Sequence, residues 1–186
     1  MRYWWAVLVF AAFVFAVFSS IPSSSGRRCV RVNALGYDGS NGVVIPVTFC
    51  VQPGNGRVFV SADHVYGADF QSALRDAVRV FRDRYGLAGK DVFISVGGPP
   101  EYLSGRSSAL AMYAGLFSAV FGYDPSNYAF TGDIDMRGNV LPVAYVHAKA
   151  LAFRGSVVVP QGNCSAGLIC VSKVSDVERI IASKRV

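Results

Sequence analysis

"TGDIDMRGNVLPVAYVHAKALAFRGSVVVP", Thr131 to Pro160, strings a turn, a short apolar helix and a run of valines together. The turn residues Arg137, Gly138 and Asn139 predict two short flanking strands, and "SVVVP" predicts another. Between them the spacing predicts a helix over residues 145–154. That helix holds Lys149, whose neighbours within three positions are all Ala, Val or Leu except His147. On a surface helix the stem of such a lysine snorkels to water. Kept dry, the amine is driven towards its neutral form, and a neutral amine is a base.

Upstream, "SSALAMYAGLFSAVFG" predicts a helix that is apolar nearly all round and therefore buried. Ser107 and Ser108 open it, and a serine there is a good N-cap. The same position sets a hydroxyl beside the free N–H groups of a helix start, which can hold an oxyanion. A serine needs a base to become a nucleophile, and a Lys149 neutralised by burial supplies one.

Further out, "CVRVNALGYDGSNGVVIPVTFCVQ" reads as two strands about a turn at 38–42, and "GRVFVSA" and "DVFISV" as two more. A turn centred between Gly39 and Ser40 sets Cys29 opposite Cys50. Phe70, Leu74, Ala77, Val78, Phe81 and Tyr85 share one face of a helix between these strands. "GGPPEYLSGR" reads as a loop, and a last helix over 174–184 is expected to be capped by Ser175. Hairpins first and crossovers later make the class α+β.

The 186 residues are 52% hydrophobic and 16% charged, which supports a real core. The net charge of +6 is scattered, and Arg75, Arg79 and Arg82 alternate with Asp76 and Asp83 as a solvated helix face does, so no nucleic-acid partner is expected. The two histidines, His64 and His147, form no HExxH, and there is no CxxC pair, so no metal site is expected. Asp133 and Asp135 read as turn acids, no GxxxxGK(S/T) phosphate loop occurs, and no cofactor is expected.

Residues 1–26 are expected to stand apart from a domain over 27–186. Trp4 to Phe18 carries no charge, and residues 4–21 come near the about 20 that a membrane-crossing helix needs. They read as an N-terminal transmembrane or signal helix behind Arg2, with "SSIPSSSG" as a linker. No clean small-x-small cleavage site is present, which favours an uncleaved anchor. Arg27, Arg28 and Arg31 outnumber Arg2 and argue for a cytoplasmic domain. Pairing of the four cysteines, Cys29 with Cys50 and Cys164 with Cys170, argues for an extracytoplasmic one.

The order Thr-Gly, short strand, Arg-Gly, "VLPV", lysine and "VVVP" resembles the proteolytic domain of Lon proteases, and "GRSSA" resembles that family's nucleophile motif. The opening "VRVNALGYDGSNG" is similar to the archaeal, membrane-anchored branch, and the likeness covers about residues 28 to 182. The resemblance implies the Lon proteolytic-domain fold, similar to domain 2 of ribosomal protein S5. It also implies a Ser107–Lys149 dyad, with backbone N–H groups near Ser107 and Ser108 for the oxyanion and Thr131 positioning the lysine. A homo-oligomeric ring acting on unfolded or flexible polypeptides, without the AAA+ ATPase module, completes the expectation. The family's Gly-Gly after "LPV" is Ala144-Tyr145 here, its acidic residue three before the serine is Ser104, and Arg106 replaces Pro or Asp. These departures favour an alternative, a catalytically degenerate, membrane-tethered protein-binding module. A Ser–His hydrolase through His147 is a third reading. His147 and Lys149 face nearly opposite sides of a helix, so only one can meet Ser107.

Overall fold

A hairpin organises the molecule. Strands β1 (Arg28–Tyr37) and β2 (Gly42–Pro53) pair antiparallel with Cys29 opposite Cys50. The register follows from the turn: the Asp38 carboxylate accepts the backbone N–H groups of Ser40 and Asn41 at 2.8 and 2.7 Å, and Gly39 supplies φ 104°. The computed structural model describes residues 26–98 and 102–183. The anchor expected at residues 4–21 lies outside the described residues. Among the described residues no helix is long and apolar enough to cross a membrane.

Five further strands extend the hairpin into a seven-stranded sheet: β3 (Val58–Val60), β5 (Lys90–Val96), β7 (Tyr128–Phe130), β10 (Ser156–Pro160) and β11 (Ile169–Val171). The order is β11-β10-β7-β1-β2-β5-β3. From β1 to β11 the neighbours are parallel; β2 is antiparallel to β1 and β5, and β3 is parallel to β5. Two small pairs stand apart, parallel β4 (Val65–Tyr66) with β6 (Tyr102–Leu103) and antiparallel β8 (Asp133–Ile134) with β9 (Val140–Leu141). The second is the pair expected about Arg137-Gly138-Asn139. The first departs from the loop expected at "YL".

Alternation sorts the strand residues to two faces. Ala34, Phe130 and Val158 join the main core under helices α1 (Ala68–Tyr85), α2 (Ala109–Phe121) and α4 (Val174–Ala182). Leu35, Ala129, Val157 and Val159 join a smaller cluster that includes Val146 of the short helix α3 (Val146–Leu151). The apolar α2 is buried from Ala109 to Val120 as expected, and its Gly115 lies against Phe49 so closely that a Cβ would stand 2.1 Å from the ring. On α1 the helical period holds but the stripe is rotated. Ala73 and Val80 are buried while Leu74 and Val78 are half-covered and Tyr85 is exposed.

Two further expectations are corrected. Ser175 lies inside α4 and does not cap it; the Asp176 carboxylate closes that end, accepting the N–H groups of Ser172 and Lys173, both at 2.9 Å. The helix at 145–154 is regular only over Val146–Leu151. Across the core, the Tyr113 hydroxyl donates to Glu178, which pairs with Arg84 at 3.1 Å, so α1, α2 and α4 share one polar link.

Candidate active site

Lys149 is the buried cation among the described residues, 5% exposed, on a helix whose outer face carries the exposed His147. The hairpin makes this possible. Gly42 sits against α3, where a Cβ would stand 2.2 Å from the Ala148 carbonyl and 2.7 Å from the Lys149 Cα. Only a glycine allows the start of β2 and the helix backbone to approach so closely. The Lys149 amine points inward and donates to Thr131 Oγ1 at 3.5 Å; among the described residues it has no carboxylate partner. Burial alone pushes its pKa below the ordinary lysine value.

Thr131 is fully buried between β7 and β8, its N–H held by the Val158 carbonyl at 3.2 Å. The next residue, Gly132, is stitched to the serine loop in both directions. Its N–H donates to the Ser107 carbonyl at 2.9 Å, and its carbonyl accepts from Leu110 at 3.0 Å. Lys149, Thr131, Gly132 and Ser107 are thus linked through consecutive contacts.

Ser107 lies half-buried in a single 3-10 turn, Arg106–Ser108, entered through Gly105 at φ 93°. Neither Ser107 nor Ser108 caps α2 through its side chain, so the capping expectation fails here. The turn is held instead by Arg106. Its guanidinium donates to Asp133 at 2.7 and 3.0 Å and to Asp76 at 2.7 Å, which fastens the serine loop to β8 and to α1. Asp133 and Asp76 are therefore not the solvated acids the sequence suggested. Asp135 does make a turn: its carboxylate accepts from Arg137 and from Asn139, which holds its pKa below the usual range. No local signal reveals the Arg106 clamp, because its partners are 27 and 30 residues away in the chain.

Ser107 and Lys149 line one cavity of about 420 Å³, with Tyr37, Val43, Ile45, Pro142 and Val143 among its apolar walls. Ser108 and Thr131 do not line it; the Ser108 hydroxyl is buried without a hydrogen-bond partner, and Thr131 lies behind the lysine. Neither histidine reaches the cavity. Among the described residues no group of His, Cys, Asp or Glu could hold a metal ion. The departure at Ala144-Tyr145 has a structural consequence. Tyr145 takes the left-handed conformation, φ 60° and ψ 26°, at the start of α3, and its ring stacks on Tyr37 with centroids 4.4 Å apart. A glycine adopts this backbone freely; a bulky residue does so only where its surroundings hold it.

Several Lon proteases are similar in sequence to this chain. Archaeal Lon protease of Archaeoglobus fulgidus is 27% identical over 177 residues, 87% of this chain and 28% of the relative. That of Thermoplasma acidophilum is 29% identical over 150 residues, 76% of this chain and 23% of the relative. Lon protease of Nitratidesulfovibrio vulgaris is 29% identical over 144 residues, 69% of this chain and 17% of the relative. The chain thus spans less than a third of the length of these curated relatives. The model of one family, the Lon protease (S16) C-terminal proteolytic domain, matches residues 31–175, from β1 into α4 and across both the serine loop and the lysine helix. With the cavity and its buried lysine inside that match, the chain belongs to the Lon protease (S16) proteolytic-domain family.

Proposed function

We propose that this domain is a serine endopeptidase that hydrolyses peptide bonds with a Ser107–Lys149 dyad. The observation that carries the reading is the buried Lys149 amine, free of any carboxylate among the described residues and bordering the same cavity as Ser107. Neutral Lys149 takes the proton from the Ser107 hydroxyl while Ser107 Oγ bonds to the peptide carbonyl carbon. Backbone N–H groups near Ser107 and Ser108 hold the oxyanion. The lysine ammonium then protonates the leaving amine, and the C–N bond breaks. Water, deprotonated by the same lysine, attacks the acyl ester and releases Ser107. Thr131 orients the amine through its hydroxyl.

The substrates we infer are unfolded or flexible polypeptides, cleaved without ATP. Tethering to a membrane through residues 4–21 and assembly into a homo-oligomeric ring belong to the same proposal. A fluorophosphonate probe tests the core of it. Labelling mapped to Ser107 and abolished in Lys149→Met supports the dyad. An unlabelled protein that still binds denatured polypeptide would leave a catalytically degenerate binding module. Labelling lost in His147→Ala but kept in Lys149→Met would transfer the base to His147.

A further inference from the structure

The dyad leaves the aromatic lining of the cavity unused. Three tyrosines border it, Tyr37, Tyr102 and Tyr145. Tyr37 is fixed twice: its hydroxyl donates to the Gly39 carbonyl at 3.0 Å, and its face is covered by Tyr145 at an interplanar angle of 11°. Tyr145 is the sole non-glycine residue with positive φ among the described residues. Such strain persists where the structure over-determines it, and it concentrates at functional sites. Tyr145 nevertheless remains 63% exposed, and Tyr102 58%. Two large aromatic rings so open to solvent, on the rim of an apolar-walled cavity, have area that a ligand can cover.

Resting on the peptidase reading, we propose that the Tyr37–Tyr145 stack is a specificity-determining wall that selects an aromatic side chain, Phe, Tyr or Trp, beside the scissile bond. A third ring extends an existing stack at ordinary aromatic spacing, and an aliphatic side chain gains only the buried area. Tyrosine faces also attract cations, so a lysine side chain is the rival occupant that the test includes. The Arg106 guanidinium borders the cavity together with its partner Asp133. Asp38, also on the rim, already accepts two backbone N–H groups of its own turn.

The test uses the full chain and four fluorogenic peptides that differ only in the residue before the cleaved bond: Phe, Leu, Ala or Lys. Phe is expected to exceed Leu in kcat/KM by about two- to tenfold. Tyr37→Leu should lower kcat/KM for the Phe peptide more than for the Ala peptide, so that the preference is lost. So should Tyr145→Asn, since asparagine tolerates the left-handed backbone. Binding of the same four peptides to Ser107→Ala by calorimetry gives a readout independent of turnover. Cleavage without a preference for Phe, or a preference that survives both substitutions, overturns the proposal and leaves the peptidase reading intact. Selective binding of the Phe peptide with no cleavage by the unsubstituted chain upholds the wall and overturns the peptidase. Neither cleavage nor selective binding overturns both.

Discussion

At the scale of single residues, the proposed chemistry depends on a lysine that the fold holds at a cost. An amine in an apolar site disfavours its own charge, and among the described residues nothing ionic offsets the burial of Lys149. The folded-state pKa is lowered, so between that value and the ordinary lysine pKa of about 10.4 the unfolded chain binds a proton that the folded chain does not. Stability therefore rises with pH through that window. Lys149→Met should remove this rise, leave the protein at least as stable at pH 7, and abolish activity; denaturant titrations at several pH values check all three. Lys149→Arg should also be inactive, because a guanidinium keeps its proton. Activity of the unsubstituted chain should climb with pH through the lowered pKa, and a flat profile from about pH 6 to 10 would exclude a titrating lysine base. Ser107 makes no side-chain cap, so Ser107→Ala should change stability by less than about 0.5 kcal/mol while it abolishes labelling.

At the scale of elements, the position of α3 on the hairpin decides where Lys149 sits. A Cβ on Gly42 would meet three backbone atoms of α3 inside 3.0 Å, and backbone cannot swing aside as a side chain can. Gly42→Ala should therefore shift α3 as a unit, destabilise by about 1–3 kcal/mol and lower kcat by more than tenfold, as read by denaturant unfolding and peptide kinetics. Gly42 was legible in the sequence only as a turn residue. What makes it necessary is a helix whose contact residue lies over a hundred positions on, and no local pattern carries that. The β1–β2 register was legible because Asp38, Gly39, Ser40 and Asn41 fix their own turn by local hydrogen bonds. The buried α2 was legible from its unbroken apolar run. The Arg106 clamp was not, since an arginine and two aspartates announce nothing until β8 and α1 meet beside the serine loop. Tyr145 was visible as a departure, yet its left-handed backbone and its partner Tyr37 belong to the assembled site.

At the scale of the whole molecule, the hairpin has a free end as well as a functional one. Its turn end carries Tyr37, Val43 and Gly42 into the site. Its other end begins β1 at Arg28, next to the residues that follow the expected anchor, where fraying would start. There Cys29 and Cys50 are bonded across the strands with Cα atoms 4.0 Å apart, closing a loop of 21 residues. Loop-closure entropy assigns such a bond roughly 3 kcal/mol, and the shorter Cys164–Cys170 loop, with a separation of 6, about 2 kcal/mol. The paired substitution Cys29→Ser with Cys50→Ser should lower the denaturation midpoint accordingly without changing the activity of the folded protein at 25 °C, because the bond is remote from the cavity. A reductant should destabilise the unsubstituted chain by more than it does this variant, in which only the second bond remains. Under the proposed membrane tether the bonds also bear on which side the domain would face, since thiols pair and persist in oxidising compartments. Non-reducing peptide mapping of native material should recover Cys29 linked to Cys50. Recovery of both as free thiols would reduce the pair to small buried hydrophobes in cross-strand contact and return the balance to the cytoplasmic orientation that Arg27, Arg28 and Arg31 favour.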